Sequence, residues 1–496
     1  MKRCFLVWCV LISVNVFAQN RSNVWELSYS TNFNNPNSEI QFTNGIADTN
    51  AIFRIMAMSI TNASICDSNG SLILYTNGIV IGNRNYDTLE NAVNFNEGEQ
   101  TTDNDPDGLV ACQGAIFIPA PQSVKDYYVF YITGKTFVAN NQLETQPLHL
   151  SYSKIDLSLD NGNGAILDGL KNIHLVDDTL NWGRISACKH ANGSDWWIIV
   201  HRYYSDIFYK FLLTPDQISG PYQQQIGSVV TKDIVGQATF SPDGSKYAMV
   251  SPSNILDYLQ FDRCTGEFYE AQIIIPPDST SGLGGCSFSA NSRFLYVSAL
   301  DIVYQYDTWN ADMANNVIKI ATWDGFTEFG TSVLFFNHQL APDNKIYIGP
   351  FTGVSYLNVI NSPDSLGLSC DFAPHSLVLP YFNNNVPNFP NYDLGPLEGS
   401  PCDTLFNSTP IVSADEGNFR LVPNPAKEWL NIIYNTQEDC LLNLYDINGK
   451  QVASVSLFHY FKNRLLNVSE LPPGVYLAAV SCKGERVWSE KVVVQR

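Results

Sequence analysis

The stretch DNDPDG has the residue types and the spacing of a metal-binding loop. Asp103, Asp105 and Asp107 alternate and are followed by a glycine, as in the first half of a calcium-binding loop, where carboxylate oxygens surround a hard cation. The second half does not follow, because position twelve of such a loop is Gly114 rather than a glutamate. The pattern leaves two interpretations open: a calcium site on these three aspartates, or a solvated acidic loop.

The rest of the chain carries no recognisable catalytic signature. It has no nucleophile elbow, zinc-protease helix, phosphate loop or dinucleotide loop. Cys286 lies in a predicted strand, where a cysteine usually serves as a small core residue. His190 and His201 flank a predicted hairpin, and a single strand histidine is more often a hydrogen-bonded structural residue than a metal ligand. We therefore expect no cofactor beyond the calcium ion considered above.

The N-terminus is typical of a secretory signal peptide. Two basic residues precede a short apolar run, and small or apolar residues at the end of it predict cleavage after Ala18. The run is too short to cross a bilayer of about 30 Å, and no later stretch reaches the roughly 20 apolar residues of a transmembrane helix. The mature chain is therefore expected to be exported and to have no transmembrane segment.

Charge and cysteine content narrow the possible partners. The chain has 28 basic and 48 acidic residues, and no basic patch, so nucleic acid and anionic lipid surfaces are poor partners. Nine cysteines follow residue 18, none at Cys-x-x-Cys spacing, which argues against a zinc knuckle. Their odd number leaves at least one thiol unpaired or in an intermolecular bond, and their pairing stays open.

A sequence unit that repeats about every 50 residues forms the scaffold on which any functional side chains lie. The stretches ATFSPDGSKYAMVSP, CSFSANSRFLYVSAL and HQLAPDNKIYIGPF each combine a short strand, a polar turn and an alternating strand. Asp243, Asn291 and Asp343 occupy the same place in the turn, at separations of 48 and 52 residues, and Asp195 lies another 48 residues upstream. A period of about 45–50 is typical of a four-stranded propeller blade, which must pack against neighbours around an axis.

The sequence therefore predicts an all-β chain with a six- or seven-bladed β-propeller. Six blades are recognisable across 60–395, and helix is expected to be minor. A seventh blade would form if NVWELSYS (23–30) paired with strands near the C-terminal end of the propeller and so closed the ring.

Several motifs carry a family resemblance. In order, they include SICDSNGSLILYTNGIVIGNRN, WWIIVHR, FSPDGSKYAMVS, QFDRCTGEF, QLAPDNKIYIG and VPNF. Together they resemble a family of secreted WD-repeat-like β-propellers from Gram-negative bacteria that use the type IX secretion route. The resemblance covers roughly 60–390. It implies the fold and gives no activity.

A second, smaller domain is predicted after a linker. The segment 396–415 is rich in Pro, Ser and Thr and has almost no periodicity, which is typical of a linker. About seven short strands follow in roughly 80 residues, with Asn448-Gly449 as a strong hairpin turn, and predict a small immunoglobulin-like β-sandwich. We expect the last strand to offer an accessible edge, and the Pro-Pro-Gly turn at Gly474 to need the conformational freedom of glycine.

The motifs of this domain indicate a route of export. LVPNPAKEWLNI, LYDINGKQV, LPPGVYLAAV and a final KVVV closely resemble the type A C-terminal sorting domain of type IX secretion, over 419–496. In that family the domain is recognised by the outer-membrane translocon. The predicted organisation is a signal peptide at 1–18, a β-propeller at 19–395, a linker at 396–415 and a sorting domain at 416–496, in a protein secreted or displayed on the cell surface.

The function of the propeller has three candidate classes. A binding or adhesion protein is favoured, with an unknown extracellular protein or glycan as ligand, because no catalytic signature is present. The first alternative is a hydrolase or lyase that acts on extracellular glycans, which for hydrolysis needs two carboxylates about 5–9.5 Å apart in a cleft. The second alternative is a structural component of a surface or gliding assembly.

Overall fold

The chain forms two compact units of β-strands. The computed structural model describes residues 20–30, 35–139, 142–231, 235–277, 282–403, 419–446, 449–483 and 485–495. The units are Met1–Cys402 and Asp403–Arg496, and the division between them falls inside the segment predicted as a linker. The predicted signal peptide 1–18, linker residues 404–415 and Asn448 of the predicted hairpin turn lie outside the described residues.

The first unit is a seven-bladed β-propeller. Its described residues form seven consecutive antiparallel sheets, here blades 1 to 7, so the predicted number of six or seven becomes seven. Blades 1 and 2 have three strands, blade 3 has five and the others have four. Blade 1 consists of β1 (Val24–Leu27), β2 (Asn37–Thr43) and β3 (Ile46–Ile52), and blade 2 of β4 (Ala63–Cys66), β5 (Leu72–Thr76) and β6 (Ile81–Asn83). The short helix α1 (Glu99–Asp103) leads to blade 3. Blade 3 consists of β7 (Ala115–Pro119), β8 (Asp126–Ala139), β9 (Gln142–Asp156), β10 (Ala165–Ile166) and β11 (Ile173–Asp177).

Blades 4 to 7 are simple four-stranded meanders, as the repeated sequence unit predicts. Their first strands are almost wholly buried and contact one another in succession, as do those of blades 1 to 3, so the first strands line the centre of the ring. Blade 4 consists of β12 (Ser186–Lys189), β13 (Trp196–His201), β14 (Ile207–Leu213) and β15 (Ile218–Gln225), and blade 5 of β16 (Gln237–Phe240), β17 (Lys246–Ser251), β18 (Ile255–Asp262) and β19 (Glu267–Ile274). Blade 6 consists of β20 (Gly285–Phe288), β21 (Phe294–Ser298), β22 (Ile302–Asp307) and β23 (Ile318–Thr322), and the two-stranded ribbon β24 (Thr327–Glu328) and β25 (Thr331–Ser332) follows it. Blade 7 consists of β26 (Phe335–Leu340), β27 (Ile346–Pro350), β28 (Val354–Ile360) and β29 (Phe372–Asn383).

The repeated turn connects the first and second strands of each meander. In blade 5 the carboxylate of Asp243 accepts a hydrogen bond from the amide of Ser245 at 2.9 Å, and Gly244 adopts a positive φ of 72°. This arrangement explains why a residue with a short polar side chain precedes a residue that tolerates the left-handed region. The corresponding pairs in blades 6 and 7 are Asn291-Ser292 and Asp343-Asn344, in which the second residue has a φ of 62°.

In blade 4 the equivalent turn residue is Asn192 rather than Asp195. The amide of His190 donates to the carbonyl of Asp195 at 2.9 Å, as the amide of Ser241 donates to the carbonyl of Lys246 in blade 5. Asp195 thus opens the second strand, and the expected equivalence was wrong by three residues. Asn192-Gly193 has the turn chemistry of Asp243-Gly244 and lies 51 residues before it, whereas Asp195 was selected for its spacing of 48 residues alone.

The ring closes differently from the prediction. The N-terminal strand β1 pairs with β2 rather than with C-terminal strands. It packs against the last blade in a cluster that joins Trp25 and Leu27 to Tyr347 and Leu357. Ser28, which follows β1, also donates its amide to the Asn383 side chain of β29 at 3.1 Å. The rings of Trp25 and Tyr347 lie edge to face, 5.5 Å apart.

The two ends of the ring carry different sets of loops. Successive strands of a meander alternate in direction, so their connections fall on opposite sides of the sheet. The first face carries the repeated turns, including the one at Asp243. In blades 2 to 7 the second face carries the loops between the second and third strands. Blade 1 runs in the opposite sense, and its turn between β2 and β3 at Gly45 lies beside Asp343 on the first face.

An ion pair is completely buried between blades 1 and 2. Arg54 and Glu26 are separated by 2.8 Å, and neither side chain is exposed to solvent. The guanidinium also donates to the backbone carbonyls of Leu27, Ser28 and Met56. Burial raises the pKa of Glu26 to about 7, although the positive charge of Arg54 acts in the opposite direction. The pair joins β1 to the segment that leads into blade 2.

The second unit is a β-sandwich of seven strands, as predicted. One sheet has the order β30-β31-β34 and the other has the order β33-β32-β35-β36. Cys440 and Cys482 form a disulfide between adjacent strands of the larger sheet. The strands are β30 (Phe419–Val422), β31 (Trp429–Tyr434), β32 (Cys440–Tyr445), β33 (Gln451–Leu457), β34 (Asn463–Asn467), β35 (Gly474–Cys482) and β36 (Glu485–Val494).

One expectation about this unit is confirmed in part, and another needs correction. The last strand, β36, lies at a sheet edge, but the end of that edge is already occupied: the amide of Val493 donates to the Asn424 side chain at 2.9 Å, and the amide of Ala426 donates to the Val493 carbonyl at 2.8 Å. Gly474 begins a regular strand, with no positive φ, and an added Cβ would meet no atom closer than 3.9 Å. Nothing in this geometry requires glycine.

Candidate functional site

The centre of the propeller is filled by the chain itself. Residues 384–393, here the central segment, follow the last strand of blade 7 and run through the ring from the second face to the first. Near the second face, Asn385 donates to the carbonyl of Ile60. At the first face, Asn391 donates to the carbonyl of Pro242 at 2.7 Å. The segment therefore occupies the position where an open propeller would have a channel.

Asn388 is the principal contact of the central segment. Its side-chain amide donates to the carbonyls of Ala115 and Ile185, each at 3.0 Å, and its backbone amide donates to the carbonyl of Asn62 at 2.8 Å. Gln113 donates to the remaining side-chain oxygen at 3.0 Å. One asparagine thus binds the inner edges of blades 2, 3 and 4.

The chain leaves the propeller at the first face. Cys402, the penultimate described residue before the gap, forms a disulfide with Cys264 in the turn between β18 and β19. The guanidinium of Arg263 also donates to the carbonyl of Gly395. The path towards the second unit is therefore fixed to blade 5.

A cavity of about 290 Å³ opens beside the central segment on the first face. Burial lowers the pKa of His338, one of its lining residues, to about 3, and the side chain is therefore neutral at physiological pH. Among the described residues, neither ring nitrogen of His338 has a hydrogen-bond partner. Other residues that line the cavity are Arg21, Phe240, Phe288, Tyr392 and Asp393.

We expect His338 to make the propeller sensitive to acid. Its pKa is lower in the folded chain than the value of about 6.5 in an unfolded chain, so the unfolded state binds more protons between these values, and stability falls as the pH drops from about 6.5 to about 3. The loss is on the order of 4 kcal/mol at the lower end. His338→Met should keep its stability at pH 7 and lose less of it at pH 4, as measured by urea unfolding.

Burial also lowers the pKa of His201 to about 3, so a residual acid sensitivity is expected in every variant. Equal slopes for the His338 variant and the original protein would contradict the assignment.

Exposed aromatic residues cluster on the second face. Phe329, Phe351 and Phe382, here the aromatic patch, are 90%, 40% and 45% exposed. The rings of Phe329 and Phe382 meet edge to face with centroids 6.2 Å apart. Thr352 donates to the carbonyl of Ser332 at 2.7 Å, which joins the loop of Phe351 to the ribbon that carries Phe329.

The ribbon β24–β25 holds Phe329 in an unusual conformation. Phe329 and Gly330 form its two-residue turn, with φ values of 48° and 83°. Such turns usually carry Asn-Gly or Asp-Gly, because a positive φ is unfavourable for a large side chain. A bulky residue in this position therefore carries backbone strain, which is more common at functional sites than elsewhere.

Neighbouring contacts fix the base of the ribbon. The carboxylate of Glu328 accepts hydrogen bonds from the amide and the hydroxyl of Ser355 at 2.6 and 2.5 Å. The ring of Phe326 stacks on His375 at 4.1 Å, and His375 contacts Asp324 at 3.0 Å. The backbone amide of Phe326 and this histidine lower the pKa of Asp324. Phe329 thus projects from a well-anchored support.

The three aspartates singled out from the sequence are exposed. Asp103 ends α1, and Asp105 and Asp107 lie in the turn that follows it. In the part of the chain that the structure describes, two groups bring three possible ligand atoms within 4.8 Å of one another, and these aspartates belong to neither. The calcium site stays a prediction.

The first of these two groups contains His190 with the disulfide-bonded Cys264 and Cys402, and the second contains His149, His174 and Asp177. Sequence inspection did not single out the second group, because its members lie on two strands. It also missed the aromatic patch, for which the available signal was a Phe-Gly pair between two short Thr-containing runs.

Similarity to known proteins is confined to the fold and the second unit. No curated protein sequence matches the chain. A protein from Lactobacillus plantarum is 12% identical, with coverage of 73% of this chain and 98% of that one and a TM-score of 0.44. The Swd1 β-propeller domain of Myceliophteria thermophila is 10% identical, with coverage of 66% and 94% and a TM-score of 0.35. At these values the assignment of a propeller depends on the sheet topology described above.

A periplasmic gluconolactonase from Pseudomonas aeruginosa is 12% identical, with coverage of 90% and 99% and a TM-score of 0.35. No helix among the described residues has the length and apolar character needed to cross a membrane. Residues 420–495 match the family described as secretion system C-terminal sorting domain, over nearly all of the β-sandwich. The second unit is therefore a type IX sorting domain, and the protein is a β-propeller that is exported to the cell surface or secreted.

Proposed function

We propose that the propeller is a binding protein of the cell surface or the medium, with the aromatic patch on its second face as the contact for an extracellular ligand. The observation that carries this proposal is Phe329, which is 90% exposed at the tip of an anchored ribbon and adopts a positive φ. Exposure of an apolar ring to water and a positive φ at a bulky residue both lower the stability of the fold. Phe329 therefore has a role other than stabilising the propeller.

The arrangement suits recognition in two ways. An aromatic ring offers a large contact area, and a fixed backbone reduces the entropy lost when a partner binds. The chain exits towards its sorting domain at the first face, where Cys402 is bonded to Cys264. The aromatic patch lies at the opposite end of the ring, so this covalent anchor of the chain does not cover it.

A binding experiment tests this function. The mature protein is applied to arrays of extracellular glycans and of proteins, and Phe329→Ser is compared with the original chain. We expect a ligand whose binding falls at least tenfold in the variant, because a central aromatic contact typically contributes about 2 kcal/mol or more to binding. The array also shows whether the ligand is a glycan or a protein.

Val124→Ser is the matched control. Val124 is 92% exposed and lies in the turn between β7 and β8 on the first face, so the two substitutions remove similar exposed apolar groups from opposite ends of the ring. Its binding should be unchanged. The proposal fails if Phe329→Ser binds every array ligand as well as the original protein does.

A further inference from the structure

A β-bulge in blade 3 brings three potential metal ligands onto one side of the sheet. Strands β9 and β11 pair so that His149 lies opposite Asp177 and Ser151 lies opposite His174. The register shifts between His174 and Val176, which leaves Leu175 as an extra residue. Residues three apart on a regular strand point to opposite sides, and the extra residue cancels this difference. His174 therefore shares a side with Asp177 and His149.

The nitrogens of both imidazoles converge on one point. The Nδ1 atom of His149 lies 2.5 Å from Oδ1 of Asp177, and the Nδ1 atom of His174 lies 3.0 Å from the same oxygen. The two rings are stacked, with centroids 4.1 Å apart.

We propose that His149, His174 and Asp177 form a binding site for a divalent transition metal of the zinc class. Imidazole nitrogen and carboxylate oxygen are ligands that zinc prefers, and three protein ligands leave a fourth position for water. Ligand atoms of a tetrahedral zinc site are about 3.3 Å apart for bonds of about 2.0 Å, so the two nitrogen–oxygen distances need to widen by less than about 1 Å. Hard cations such as calcium and magnesium prefer oxygen ligands and do not suit this set.

The site is accessible and links separate strands. The side chains of His149, His174 and Asp177 are 31%, 46% and 67% exposed, so an ion can enter from solvent. Strand β11 pairs with β9 at the outer part of the blade, off the main path of the sheet. A bound ion would fasten β11 to β9 at this position.

Isothermal titration with zinc chloride tests the site. The full mature protein carries an affinity tag without histidines and stays oxidised, so that Cys264 and Cys402 remain in their disulfide and the other candidate group offers a single imidazole. We expect one site per chain with micromolar affinity, and a loss of more than about tenfold in His149→Gln and in His174→Gln. Calcium chloride should give no heat at this site.

Two variants separate this site from weak surface binding. His375 also contacts a single carboxylate, that of Asp324 at 3.0 Å, and His375→Gln should bind zinc like the original protein. Asp177→Asn removes the carboxylate that both imidazoles contact, and it should weaken zinc binding more than about tenfold while the circular dichroism spectrum stays that of a folded propeller. Absence of binding up to millimolar zinc, or equal affinity in His149→Gln, overturns the proposal.

Discussion

A chain that ends at residue 415 is expected to remain in the periplasm with its propeller folded. The sorting domain implies export by the type IX route, and we expect it to act at the outer membrane, after the predicted signal peptide has acted at the inner membrane. The propeller forms its own compact unit, with a core separate from that of the β-sandwich, so its folding does not depend on residues 416–496. Cell fractionation with an antibody against the propeller measures the distribution, and we expect nearly complete loss from the surface and the medium.

The matched control keeps the sorting domain and replaces linker residues 404–415 by a Gly/Ser segment of equal length, and its export should be normal. A fluorescent passenger that carries 416–496 behind a signal peptide should reach the surface of a host with type IX machinery. Normal surface or medium levels of the truncated protein would mean that the second unit is dispensable for export.

Arg54→Met is expected to lower the free energy of unfolding of the propeller by about 3–5 kcal/mol, because it leaves the carboxylate of Glu26 buried without its partner. The variant also loses the hydrogen bonds of the guanidinium to the carbonyls of Ser28 and Met56. Burial already raises the pKa of Glu26 to about 7, and removal of the positive charge raises it further. The loss should therefore be larger at pH 8, where ionisation is enforced, than at pH 5.

Urea unfolding at both pH values measures the effect. Arg202→Met is the control, since Arg202 and Asp178 are 2.9 Å apart but 44% and 26% exposed, and a pair of this kind contributes about 0–1 kcal/mol. Similar losses of unfolding free energy for Arg54→Met and Arg202→Met, or a loss that does not depend on pH, would show that the buried pair contributes no more to stability than an exposed pair does.

Local sequence patterns were sufficient to predict the strands and turns of single blades and of the β-sandwich. Alternating apolar residues around short polar turns predicted the meanders of blades 4 to 7, because turn chemistry and strand periodicity act over a few residues. The seven strands of the sorting domain followed from the same signals. The error at Asp195 has the same origin: several polar residues lie within one short turn, and only the backbone hydrogen bonds show that Asn192 has the equivalent position.

Contacts between distant segments were not predictable in this way. The central segment starts with Asn384 and Asn385, which directly follow Asn383, and such a polar run indicates an exposed loop unless its partners are known. Its partners are backbone carbonyls of several blades, which no local pattern encodes. Likewise, the single extra residue Leu175 decides on which side of a strand His174 lies, and a bulge of one residue leaves no clear periodic signal.

The disulfide between Cys264 and Cys402 determines where a mechanical load would act. The sorting domain is the part that the export machinery engages, so traction during transport enters the propeller from residue 403. The covalent bond passes this tension to the turn between β18 and β19 before it reaches the central segment. The central segment is held in the ring by hydrogen bonds and by the packing of Val386, Phe389 and Tyr392, and none of these contacts is covalent. The disulfide therefore protects the propeller from unfolding when force is applied at its C-terminal end.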